Sequence, residues 1–225
     1  DMALHARKKF GLEYIAITDH TKSLGLANGL NENQLLNQIS KIEQLNDALN
    51  QDSISDTVSN FRILTSAEVN ILKDGSLDIS NNILDKLDIV GASIHSNFSY
   101  PKEVQTNRLI KAARNPSVDI LFHPTGRLIN KREGYAVDIE KVIEVAGDTK
   151  TVLEINSNYH RLDLRDEHVR MAIENEVKLA INSDAHHPVH FAYLMFGIGQ
   201  ARRGWAKEID VVNTLNADSL LKSLK

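Results

Sequence analysis

The feature that most constrains this chain is a rhythm. Six short apolar, strand-like runs recur along it, and each ends in a residue able to ligate a metal or orient a ligand. Residues 13–18 lead into Asp19 and His20, residues 62–67 into Glu68, and residues 87–94 into His95. Residues 118–122 lead into His123, residues 151–155 into Asn156, and residues 177–181 into Asn182-Ser-Asp-Ala-His186. Buried strands alternating with helices are the signature of a parallel α/β fold. In a (β/α) barrel the strand C-termini converge on one face, which holds the chemistry. His and carboxylates at so many strand ends therefore predict a polynuclear metal site.

The chain of 225 residues has length for one large α/β barrel or two small domains, and 42% hydrophobic residues supply a sizeable core. We find no repeat, low-complexity tract or linker, so residues 1–225 are read as one domain. No apolar run approaches the roughly 18 residues of a membrane span, and no secretory signal is visible, so no membrane is expected. Cysteine is absent, which excludes disulfides and thiolate ligands, fits a cytoplasmic protein, and leaves any metal to nitrogen and oxygen. A net charge of −4 offers no basic field for wrapping duplex DNA. Met2 is preceded by Asp1, and Met2, Ala3, Ala6 and Phe10 have helical spacing with Gly11 as a stop. A helix leading into a buried strand of an alternating fold follows an earlier strand. The expectation is a fragment lacking its first strand.

Asn31 reads as an N-cap with Gln34 in the capping-box position, ahead of an apolar stripe of Leu35, Ile39, Ile42, Leu45 and Leu49. Residues 51–60 are polar and predict a surface loop. Asp74-Gly75 predicts a tight turn between Ile71 and Leu77, and residues 83–87 a helical turn. Helices are expected over 102–115, stopped by Pro116, over 138–147 between an Asp138 cap and a Gly147 stop, and over 164–176. The tail, 207–225, carries a short helix and then a second over 217–224.

In an extended segment residues i and i+2 point the same way, so Asp184 and His186 can share one cavity. Glu68 sits where an apolar strand would otherwise continue. A buried carboxylate is costly unless paired or metal-bound, and two oxygens let it bridge two metals; the alternative is a salt bridge. His95 and His123 close equivalent strands, and His20 joins them as a ligand. Asp19 either orients neighbours from outside the ligand set or caps a turn. His5 and His168 are expected on helices and exposed, His187 and His190 in a loop, and His160 is open. Nitrogen and oxygen donors suit Zn²⁺, Mn²⁺ or Fe²⁺. Several metals sharing a carboxylate acidify a water and hold the oxygens of a phosphate ester, so water, not a side chain, is the expected nucleophile on phosphorus. Lys22, Arg127 and Arg161 lie in loops after strand ends and either hold phosphate oxygens or are ordinary solvated charges.

Eight stretches, in order and spanning nearly the whole chain, carry a resemblance. They are Ile17-Thr-Asp-His-Thr-Lys-Ser23, Glu68-Val-Asn-Ile-Leu-Lys-Asp-Gly-Ser-Leu-Asp78, Ser93-Ile-His-Ser96, His123-Pro-Thr-Gly-Arg127, Leu153-Glu-Ile-Asn156, Arg161-Leu-Asp-Leu164, Ala180-Ile-Asn-Ser-Asp-Ala-His186 and Ala201-Arg-Arg-Gly-Trp205. The chain resembles the polymerase-and-histidinol-phosphatase (PHP) superfamily, and most of all the C-terminal PHP domain of bacterial and archaeal family X DNA polymerases. The resemblance implies a distorted, TIM-like (β/α)7 barrel with up to three divalent metals. Glu68, His95 and His123 would hold one metal, Glu68 bridging to a second that takes Asp184, while His20 and His186 would hold a third. Asn156 would support the ligands. The family's first-strand Asp-x-His-x-His is not in this chain, so two of the three positions would be under-liganded. Tyr159-His160 departs from the family's Pro-Tyr before the arginine. The implied activity is a metal-dependent phosphoesterase, a 3′–5′ exonuclease or 3′-end processing enzyme on DNA, with an upstream polymerase domain. A free-standing small-molecule phosphatase of the histidinol-phosphatase type, or a non-catalytic PHP module, are the alternatives, and this piece alone is expected to be weak or inactive.

Overall fold

The computed structural model describes residues 1–25, 28–51 and 61–224, with the side chains of residues 50 and 51 left aside. Strands β1 (Tyr14–His20), β2 (Arg62–Asn70), β3 (Ile89–Ser93), β4 (Ile120–Leu121), β5 (Val152–Asn156) and β6 (Leu179–Asn182) form one parallel sheet in sequential order. Each pairs with the next, and the sheet curls into a half-barrel. Helices α1 (Met2–Phe10), α2 (Glu32–Gln51), α3 (Asn81–Leu84), α4 (Lys102–Ala113), α5 (Ile139–Thr149), α6 (Asp166–Glu174), α7 (Leu194–Arg203) and α8 (Ala217–Ser223) punctuate it. All five links between these strands carry a helix, the usual crossover between parallel strands. No described helix is long and apolar enough to cross a membrane.

The period-2 pattern of a strand explains both cores. Ala67 and Val69 of β2, Val90 and Ala92 of β3, Leu121, Leu153 and Leu179 project to one face and pack with residues of α4, α5 and α6. The other face carries Leu64, Ile89, Ile120, Val152 and Ala180 low on the strands. Further along β2, β3, β5 and β6 the same face turns polar, to Ser66 and Glu68, Ser93, Glu154 and Asn182. That switch from apolar to polar positions the site. Gly91 belongs to this inner row, and an added Cβ there would lie 2.0–2.5 Å from atoms of the Phe122 ring. Gly91→Ala is expected to destabilise the fold by about 1–3 kcal/mol through overpacking, read as a lower urea midpoint at unchanged slope.

All six predicted strands are present. Asn31 and Gln34 form the reciprocal capping box, at 2.9 and 3.1 Å. Gly11 ends α1 with φ of 62°, and Ile71 bridges Leu77 around the Asp74-Gly75 turn. Four expectations change. Leu45 is 46% exposed, because in a 3.6-residue period the α2 stripe of Leu35, Ile42 and Leu49 leaves it on the flank. Helix α5 runs past Gly147 to Thr149, and Lys150 takes the left-handed C-cap. His168 packs under its neighbours with a side chain 17% exposed, and burial lowers its pKa. His190 lies on a 3-10 turn, Pro188–Tyr193, that continues into α7, neither of which the spacing announces. The polar stretch 52–60 lies outside the described residues.

Candidate metal centre

Glu68 is the hub. Its place near the end of β2, pointing to the inner face, leaves it 7% exposed. His123 Nε2 lies 2.8 Å and His95 Nε2 3.0 Å from its Oε1, and His20 Nδ1 lies 3.5 Å from its Oε2. The Ser93 hydroxyl donates to Oε1 at 2.9 Å. Strand register makes this convergence: His20 pairs directly with Glu68 across β1 and β2, and the other two rings arrive from the ends of β3 and β4. Burial would raise the Glu68 pKa, but hydrogen bonds from His123 and His95 override it and hold the carboxyl well below its ordinary range. Burial lowers and the Glu68 bond raises His123, with a net upward direction. His20, lacking such a bond, is pulled down by burial.

His95 is oriented from behind. Its Nδ1 lies 2.8 Å from Asn70 Oδ1. The Asn70 amide nitrogen donates to Asp78 Oδ2 at 3.0 Å and to the Thr21 carbonyl at 3.1 Å, which fixes the amide so that Oδ1 must accept. His95 Nδ1 therefore carries the proton. Its Nε2, 3.0 Å from Glu68 Oε1, donates to the carboxylate when the ring is protonated on both nitrogens and is the nitrogen free to take a metal when it is not. His20 Nδ1 and His123 Nδ1 are buried without a hydrogen-bond partner. Ligand atoms of His20, Glu68 and His95 all lie within 4.8 Å of one another. This donor set fits a divalent metal such as Zn²⁺, Mn²⁺ or Fe²⁺.

The remaining predicted residues lie around this cluster at varying remove. Asp184, at φ of 49°, accepts from Asn156 Nδ2 at 3.3 Å and faces Arg161 Nε at 3.5 Å. It helps line a cavity of about 1030 Å³ together with His20, Glu68, His123, Asn156 and His186. The His186 ring is 68% exposed and turned toward its own Asp184, 2.9 Å from that carbonyl. His20 thus meets Glu68 and His95 in the tight cluster and His186 does not. Asp19 is exposed and accepts from the Gln38 amide. Lys22 pairs with Glu32 at 2.5 Å, and Arg127 donates to the carbonyls of Arg161 and Leu162. Neither lines the cavity; each has a nearer partner than an incoming phosphate.

One cavity residue escaped the strand-end reading. Glu154, 3% exposed in mid-β5, accepts the His123 backbone N–H at 2.6 Å and the Asn182 amide at 3.0 Å. Burial pushes its pKa up to about 7. Its signal was the one that marked Glu68, a carboxylate interrupting an apolar strand. The Asn70–Thr21–Asp78 network also escaped, since its members are joined only by long-range folding; Thr21 Oγ1 donates to Asp78 Oδ1 at 2.6 Å.

No family model matches the chain. It is 47% identical over 212 residues to the "DNA polymerase/3′-5′ exonuclease PolX" of Bacillus subtilis, covering 94% of this chain and 35% of that protein. A probable phosphatase of Thermoanaerobacter sp. is 35% identical over 143 residues, 59% of this chain and 56% of the relative. The chain therefore spans about a third to just over half of these curated relatives. A probable phosphatase of Caldicellulosiruptor saccharolyticus is 30% identical over 195 residues, 83% of this chain and 72% of that one. Among solved structures, histidinol phosphate phosphatase from Lactococcus lactis, complexed with zinc, L-histidinol and phosphate, has a TM-score of 0.58 at 14% identity, covering 90% and 86% of the two chains; it shares the fold. With its curled parallel sheet, its ring of strand-end histidines and these relatives, the chain belongs to the PHP superfamily.

Proposed function

We propose that the chain is the PHP part of a metal-dependent phosphoesterase acting on DNA 3′ ends, in a protein that also carries a family X polymerase domain. The observation that carries this is the convergence of three imidazoles on one buried carboxylate at the strand C-termini. His20, Glu68, His95, His123, Asp184 and His186 are the proposed ligands for up to three divalent ions. Metal bound there would supply an acidified water and Lewis-acid stabilisation of phosphate oxygens. The chain's own residues prepare that chemistry. Asn70 sets the tautomer of His95, Ser93 and the rings hold Glu68 ionised, and Asn156 and Arg161 steady Asp184. Arg161, the one predicted basic residue beside a ligand, is placed to meet a phosphate oxygen when Asp184 turns to a metal.

The end strands β1 and β6 flank the cavity, which residues 14–20 and 180–185 line from its two sides; on β6 the Asn213 side chain pairs with the Ile181 N–H and C=O and Leu179 bridges Val211. We propose that a further strand pairs with β1 in the working domain and adds ligands. A cytoplasmic location accords with the absence of cysteine. The likeness to PolX at 47% identity favours DNA. The 72% coverage of the Caldicellulosiruptor phosphatase supports a second reading, hydrolysis of a small phosphate ester. A kinetic comparison separates them. With Mn²⁺, release of nucleotides from a 3′-labelled single strand is expected to exceed release of phosphate from histidinol phosphate by at least ~100-fold in kcat/KM. The reverse ratio would establish the second reading, and no hydrolysis by either this chain or one extended upstream would reduce the domain to a non-catalytic module.

A further inference from the structure

The loops after β5 and β6 carry an aromatic face that the chemistry above leaves unused. Tyr159 lies against His160 with ring centroids 4.0 Å apart at a 40° tilt and meets Tyr193 edge-on at 5.2 Å. Tyr193 stacks on His190 at 4.8 Å and 16° and reaches Phe196 at 6.3 Å. A buried cluster of this kind would be core, but Tyr159 is 46% and Phe196 42% exposed. Exposed contiguous aromatic surface marks a binding site.

The face is continuous with the candidate metal centre. His190 Nδ1 accepts the backbone N–H of His186 at 3.3 Å. Phe191 and Leu194, from the same segment as Tyr193 and Phe196, line the cavity. On the other side Tyr159 lies two residues before Arg161, whose guanidinium is 3.5 Å from Asp184. Ring faces, then a cation, then a cavity suited to metal are arranged in that order. The rings are phenols and imidazoles more than hydrocarbon, which suits wet, sequence-tolerant stacking more than a dry protein contact. Aromatic platforms beside cationic groups are how proteins hold single strands, because every base offers a π-face.

We infer that the Tyr159–Tyr193–Phe196 face is a stacking platform for unpaired bases of a single-stranded nucleic acid whose end enters the cavity, an inference that takes the phosphoesterase reading as its frame. The test is binding of a 5′-fluorescein-labelled oligo(dT) of twelve nucleotides to the 225-residue chain in EDTA, followed by anisotropy. Because no turnover occurs, the result does not depend on hydrolysis, and a wild-type chain inert toward every phosphate ester would sink the frame while leaving this measurement intact. Tyr159→Ala and Phe196→Ala are each expected to weaken binding roughly 5- to 100-fold, the range that stacking of a base supplies. Tyr159→Trp is expected to retain it. An oligonucleotide whose three 3′-terminal nucleotides are abasic should lose the same affinity with the wild type and no more with Tyr159→Ala. Equal binding of the intact and abasic strands, unchanged affinity in both alanine variants, or no binding by the wild type would each overturn the proposal.

Discussion

Glutamine at position 68 is expected to abolish metal binding and hydrolysis together. Glu68→Gln keeps the volume of a side chain that is 7% exposed, so packing on the inner face survives. It replaces the anion that both His95 and His123 approach within 3.0 Å. An amide offers a metal one neutral oxygen instead of a charged pair, and it cannot bridge. Loss of a residue that merely orients a ligand costs about 10–100-fold in metal affinity; loss of the hub is expected to exceed ~100-fold. Calorimetric titration with Mn²⁺ and turnover of bis-p-nitrophenyl phosphate check the two halves, with circular dichroism to show that the fold is kept. A variant within threefold of the wild type in both would remove Glu68 from its proposed role.

The largest effect on stability is expected at Arg108, far from any carboxylate partner. It is 1% exposed. Its guanidinium donates to the carbonyls of Leu72, Ile71 and Ser96 at 2.9, 2.6 and 3.1 Å and to Gln105 Oε1 at 2.7 Å. One side chain on α4 thus ties the turn after β2 to the loop after β3. Arg108→Ala would leave the buried Ile71 carbonyl and Gln105 Oε1 without this donor, at about 1–3 kcal/mol each, and would open a cavity where the side chain packs, while the Leu72 carbonyl keeps the Gly75 N–H. The expected loss is roughly 3–5 kcal/mol, a large part of a domain's net stability. Arg108→Lys keeps one donor head without the planar fork and should fall between. Because Ser96 follows His95, metal affinity should fall with stability. Thermal melts of the three proteins measure this; a change under 1 kcal/mol in the alanine variant would contradict it.

Much of the architecture was written in local pattern. Each strand announced itself by a β-branched or apolar run, and the ends of those runs brought His20, Glu68, His95 and His123 to one place. The rule failed where chemistry sits inside a strand instead of at its end. It chose Asn156 at the end of β5 and passed over Glu154, two residues earlier on the same inner face. It also missed α7, whose Gly197 and Gly199 dilute helical propensity and whose packing on β5 and β6 is tertiary. Arg127 shows what a local reading leaves out. A loop arginine after a strand end looks free in sequence, yet the fold spends its donors on the carbonyls of Arg161 and Leu162. Side-chain partners more than thirty residues away are set by how the chain folds back, and no local spacing reveals them.

The most direct test of the central claim is anomalous diffraction from crystals of the chain grown with zinc. The account predicts a peak about 2.0–2.2 Å from a Glu68 oxygen and from the ring nitrogens of at least two of His20, His95 and His123. Zinc only at exposed surface histidines, with Glu68 still hydrogen-bonded to His95 and His123, would contradict it.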